Sequence, residues 1–158
     1  MMDLKVVATL EKVLDANRGG EVKNLIWVSD TASYRSRVRD TLRAWACEKG
    51  LHLAELDECE YEWLADIQSR ELFGRLNEPN TILLVENYGT VNWYSPDENT
   101  PRNFMRDLLL HRRYGCGNGW CPPDDLLNLL FLVALNDGRE MYCDADERDS
   151  FEWGPPEI

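Results

Sequence analysis

Apolar positions recur along the chain at two spacings. Val6, Leu10, Val13 and Leu14 fall at helical intervals among Lys5, Glu11 and Lys12, so the pattern predicts an amphipathic helix over residues 2–16, closed by Asn17 and Gly19-Gly20. Leu25-Ile26-Trp27-Val28 is a short unbroken apolar run, the mark of a strand covered on both faces. Over residues 33–49 the helical interval returns with Tyr34, Val38, Leu42 and Trp45, flanked by a stripe of Arg35, Arg39 and Arg43 and stopped by Gly50. Residues 51–56 read as a second strand and Thr81-Ile82-Leu83-Leu84-Val85 as a third, the latter following Pro79 and Asn80. Thr100-Pro101 is a cap and first-turn signal for a helix running to Tyr114, and residues 129–135 form a fourth buried strand.

Helix and strand therefore alternate, which predicts an α/β fold: a three-layer sandwich around a mainly parallel sheet of four to five strands. In such sheets ligands lie beyond the carboxyl ends of the strands, so the residues after Val28, Val85 and Leu135 are where chemistry is expected. The expected division is an α/β unit over residues 1–137, then an acidic segment over 138–158 with little periodicity that packs on the unit or trails from it.

Charge narrows the partners. Lys and Arg number 17 against 29 Asp and Glu, a net charge of −12, so direct nucleic-acid binding through bulk phosphate neutralisation is not expected. Five cysteines without a paired framework, and no positively charged leader before an apolar stretch, lead us to expect the reducing cytoplasm. The longest nearly apolar run, residues 126–135, is about half of the roughly 20 residues that a bilayer crossing needs, and no membrane contact is expected.

The turn after the first strand, Ser29-Asp30-Thr31-Ala32-Ser33-Tyr34-Arg35-Ser36, has the length and position of the phosphate-binding pattern G-x-x-x-x-G-K-[ST]. Ser29 and Tyr34 stand at the glycine positions, Arg35 at the lysine and Ser36 at the hydroxyl that binds magnesium. Tyrosine at the second glycine removes the permissive backbone and is expected to fill the phosphate volume. Ile82-Leu83-Leu84-Val85 then precedes Glu86-Asn87, where P-loop ATPases carry four apolar residues and Asp-Glu. Glu86 is able to hold magnesium through a water, but the Asn87 amide has no useful basicity toward an attacking water.

With its leading helix, four strands and motif positions in order, the stretch over residues 2–137 resembles the nucleotide-binding core of an AAA+ ATPase whose catalytic motifs have degenerated. The resemblance implies that Arg35, Ser36, Glu86 and Asn136 line a degenerate nucleotide pocket blocked by Tyr34, with Asn136 at the position that orients water beside the γ-phosphate. Arg112 and Arg113 fall where an arginine finger would reach a neighbouring subunit. The helical lid of that family is not expected, since few residues follow Asn136. Neither ATP nor magnesium is expected as a cofactor.

Each feature also has a plainer reading. The residue 29–36 turn reads as an ordinary strand-to-helix turn with Ser33 as the cap, and Asn136-Asp137-Gly138 as a turn. Arg112 and Arg113 suit a helix carboxyl end, worth about 0.3–1 kcal/mol each. The arginine stripe reads as a solvated face or a partner contact. His111, Cys116, Cys121 and Cys143 have atoms that a tetrahedral zinc ion would accept, although no paired knuckle is present. Trp93 and Trp120 fall in loops and are candidate partner contacts. The sequence thus leads us to expect a non-catalytic, P-loop-like module that binds another protein. Two alternatives stand beside it: a weak nucleotide binder or slow ATPase completed by a partner subunit, and an acidic nucleic-acid mimic using residues 55–66 and 137–157.

Overall fold

The computed structural model describes residues 2–59, 79–90, 109, 129–143 and 145–157. Helix α1 (Leu4–Arg18) starts where the Asp3 carboxylate accepts the N–H groups of Lys5 and Val6, at 3.0 and 3.3 Å. Strand β1 (Asn24–Val28) leads into α2 (Ala32–Lys49), and α2 stops at Gly50, whose φ of 69° is the left-handed conformation glycine adopts without strain. The cap of α2 is Thr31 rather than Ser33. Strands β2 (His52–Asp57), β3 (Thr81–Glu86) and β4 (Leu129–Asn136) follow within one or two residues of their expected bounds. The acidic segment then contributes a short helix α3 (Ala145–Asp149) and a strand β5 (Phe151–Trp153).

The five strands form one sheet in the order β2-β3-β4-β1-β5, every neighbouring pair parallel. The three inner strands β3, β4 and β1 are buried on both faces, which is why they read as continuous apolar runs, whereas the edge strands β2 and β5 do not. The two faces alternate along each strand. Leu25, Trp27, Ile82, Leu84, Val133 and Leu135 face α1 and α2, meeting Leu10, Leu14, Val38 and Leu42. Ile26, Leu83, Val85, Leu132 and Ala134 face the other way and are covered by Tyr88, Leu109, Met141, Cys143 and Phe151.

β5 is held on β1 by more than its ladder. Gly154 N–H donates to the Ile26 carbonyl at 2.8 Å, and Gly154 lies so close over the Trp27 indole that a Cβ there would fall 2.1 Å from Cε2. Among the described residues no helix is long and apolar enough to cross a membrane. The expected helix over residues 101–114, apart from Leu109, and the Gly- and Pro-containing loop over 116–125 lie outside the described residues.

Candidate functional site at the carboxyl edge of the sheet

Strand register sets the site. Val28 is level with Asn136, Val85 with Ala134, and Asp57 with Glu86, so the carboxyl ends of four strands form one edge. The loops after β1 and β4 touch there: the Ser29 N–H donates to the Asn136 carbonyl at 3.0 Å, and Gly138 packs against Asp30. Asn136 is fully buried. Its Nδ2 donates to the Tyr88 carbonyl at 2.8 Å, and its Oδ1 accepts the Gly138 N–H at 2.8 Å. The second bond closes a side-chain turn around Gly138, whose φ is 92°. Glu86 and Asn136 point to opposite faces, Glu86 toward α2 and Asn136 with Ala134 away from it.

Helix α2 begins at Ala32, so only residues 29–31 separate β1 from the helix, and Tyr34, Arg35 and Ser36 are already helical. Within this turn the Thr31 N–H is taken by Ser29 Oγ at 3.1 Å, and the Arg35 N–H by the Thr31 carbonyl at 3.1 Å. Arg35 Nη1 folds back onto the Ser29 carbonyl at 2.6 Å. Tyr34 is a core side chain with 3% exposure, and its hydroxyl donates to the Pro155 carbonyl at 2.6 Å. Burial pushes that hydroxyl above its usual pKa range. The Arg37 guanidinium lies 5.1 Å from the centre of the Tyr34 ring.

Ser36 and Glu86, the two positions implied for magnesium, share one partner. Arg39 grips the Glu86 carboxylate in a two-pronged ion pair, Nε to Oε1 and Nη2 to Oε2, the latter at 3.0 Å. Its third nitrogen, Nη1, donates to Ser36 Oγ at 3.3 Å. Glu86 raises the Arg39 pKa, chiefly through this hydrogen bond. A guanidinium thus lies between the hydroxyl and the carboxylate that a magnesium ion would have to bridge, and both groups already accept its protons. The residues do not fit the ion. One turn further along α2, Arg43 Nε and Nη2 bond the Glu55 carboxylate of β2, the closest contact being 2.6 Å.

Carboxylates elsewhere on the edge are engaged as well. Asp57 Oδ1 accepts the Cys59 N–H and Asn87 Nδ2, each at 2.9 Å. The buried Glu58 accepts the Gly89 N–H at 2.8 Å. Asp137 accepts Arg139 Nε at 2.8 Å, which draws its carboxyl below the ordinary carboxylate range, and the nearby Arg35 charge adds to that effect. Asn87 takes a left-handed φ of 54°, tolerable for asparagine, and Tyr88 then turns inward to donate to Glu147 Oε2 at 2.5 Å.

Arg112, Arg113, Trp93 and Trp120, the expected partner contacts, lie outside the described residues, as do His111, Cys116 and Cys121 of the zinc alternative. Arg148 Nε donates to Cys143 Sγ at 3.4 Å. Among the described residues no three His, Cys, Asp or Glu side chains are grouped to hold a metal ion. The sequence marked Arg39 as part of the arginine stripe, one turn after Arg35, but not its pairing with Glu86. The pairing of Tyr88 with Glu147 spans 59 residues and left no signal. The class defined by the fold is an α/β protein with an all-parallel five-stranded sheet. In comparisons with protein-family models, with curated proteins and with solved structures, the chain gave no match.

Proposed function

We propose that the chain is a P-loop-like scaffold that does not turn over ATP and that acts by binding another protein. The observation that carries this reading is the three-residue connection between β1 and α2. A phosphate cradle works by leaving a run of backbone N–H groups free to wrap the anion. In this chain residues 32–36 are already helical, so the connection is too short to wrap an anion, and the N–H groups of Thr31 and Arg35 are taken by Ser29 Oγ and the Thr31 carbonyl. The side chain at the lysine position, Arg35, bonds its own loop, and the edge carboxylates Asp57, Glu58, Glu86 and Asp137 are each held by a donor.

Support for a protein contact comes from Trp153 and Val28, which are 55% and 39% exposed. They lie on the same sheet face, since Trp153 is level with Ile26. Adjacent exposed apolar side chains of this kind are what protein contacts use.

Thermal melting with magnesium and ATP tests the first half. A ligand at 100 times its dissociation constant adds about 2.7 kcal/mol, so a binding site gives a clear rise in Tm. We expect no rise at millimolar nucleotide and no phosphate release. A rise accompanied by turnover that Glu86→Gln abolishes would replace this reading with that of a slow ATPase. The second half predicts that Trp153→Ser leaves Tm unchanged and weakens capture of the partner.

A further inference from the structure

The ion pair at the end of β3 has a geometry that an ordinary surface pair lacks. All three nitrogens of the Arg39 guanidinium are used, two on the Glu86 carboxylate and one on Ser36 Oγ. The pair is largely withdrawn from solvent, with side-chain exposures of 24% for Arg39 and 20% for Glu86. A hydroxyl from the first turns of the helix and a carboxylate from the end of a neighbouring strand are hard oxygen donors of the kind that hold a magnesium-sized ion, usually completed by waters. A planar cation with five N–H groups in a fixed fork spans the same two acceptors without waters.

Charge works in the same direction. A divalent ion entering between Ser36 and Glu86 would meet Arg39 directly, and Arg35 stands one turn away on the same helix. Positive charges at contact distance in a site largely withdrawn from water repel strongly, so the ion can enter only by expelling the guanidinium.

We propose that the Arg39 guanidinium is the resident cation of this site, taking the place of a divalent ion between Ser36 and Glu86, so that α2 is joined to β3 without metal. The inference rests on the P-loop-like reading of the Ser36 and Glu86 positions and is separate from the question of ATP turnover. A contact that a metal–nucleotide complex would make only when bound is made permanently by the chain. The carboxyl edge is then held in one state, whatever the magnesium or nucleotide concentration.

The test is manganese titration of the full chain, read as paramagnetic broadening of backbone amide signals near Ser36 and Glu86. Reading local amides separates this site from weak ion binding elsewhere on so acidic a surface. Wild-type protein is expected to show no selective broadening at those amides. Arg39→Ala and Arg39→Gln are each expected to gain it at manganese concentrations at least tenfold lower, and Glu86→Gln added to either is expected to remove the gain. The amide spectrum itself reports whether each variant is folded. Selective broadening in the wild type overturns the inference, with or without folded variants; so does a folded Arg39→Gln protein that gains none. Phosphate release from ATP by a wild type that ignores manganese would instead overturn the proposed function and leave this inference standing.

Discussion

Glu11 shows how a single residue on the outer side of α1 ties two helices together. Its Oε1 accepts from Lys49 Nζ at 2.7 Å and from the buried Trp45 indole Nε1 at 2.9 Å, both on α2. Lys49, then Trp45, draw the Glu11 carboxyl below its ordinary value of 4.5. The folded state therefore binds this proton less readily than the unfolded chain. The contribution is complete above that ordinary value and is lost as the pH falls through the lower, folded-state value. Because Glu11 and Lys49 are 35% and 41% exposed, solvent screening limits the contribution to about 0.2–1 kcal/mol. Urea unfolding of wild type and Glu11→Gln across the acid range is expected to show a stability gap near neutral pH that closes as the pH falls below that ordinary value. The amide keeps an acceptor for Trp45, so the gap reports the charge, and a gap independent of pH would contradict the assignment. The same residue explains the Trp45 position, which the helical spacing placed in the core without indicating that its N–H had a partner on another helix.

At the scale of elements, α2 is fixed by its arginine stripe as much as by its apolar face. Arg35 reaches the end of β1, Arg39 the end of β3 and Arg43 the middle of β2, so one row of side chains fastens the helix across three strands. The pairs differ in exposure, 24% and 20% for Arg39–Glu86 against 50% and 38% for Arg43–Glu55. Double-mutant cycles to alanine are expected to give a coupling of about 1.5–3 kcal/mol for the first, in the range of charge-assisted bonds. The second should give about 0.2–1 kcal/mol, as exposed pairs do. Equal couplings would mean that burial does not set the strength of these contacts. The stripe also marks the limit of what the sequence makes legible. Its period is visible in the chain, and so are the apolar faces of α1 and α2 and the runs that become β1, β3 and β4. Which acids it meets depends on strand order, and β3, carrying Glu86, lies 47 residues from Arg39. For the same reason Tyr34 reads in the sequence as a plug for a phosphate cradle, whereas its hydroxyl is bound to Pro155, a partner 121 residues away that no local spacing reveals.

For the whole molecule, the consequential element is the one that periodicity left blank. β5 is three residues long, too short for a run to be recognised, and its acidic surroundings suggest a solvated tail. Yet it forms the outer edge of the sheet beside β1 and carries several separate fastenings: the Gly154 bond to Ile26, Tyr34 to Pro155, Lys12 to Glu152 at 3.5 Å and, from α3, Glu147 to Tyr88. Trp27 is buried at 2% exposure partly because Gly154 lies flat over its indole. If residues 144–158 were only an appended tail, a chain ending at residue 143 would melt like the full one. The contacts predict otherwise: the shortened chain loses the cover of Trp27, the partner of the buried Tyr88 hydroxyl and the ladder along β1. Its Tm is expected to fall by about 6–12 °C, on the order of 3 kcal/mol at about 2–4 °C per kcal/mol for a domain of this size, with tryptophan emission shifted to the red. Gly154→Ala offers the same test within the intact chain. Its Cβ cannot be placed without moving a buried indole, so it is expected to cost about 1–3 kcal/mol, while Gly19→Ala, whose Cβ would meet its nearest neighbour at 3.4 Å, changes stability little. Melting curves for the three proteins that coincide with wild type would show that β5 is dispensable and that the sheet closes at β1.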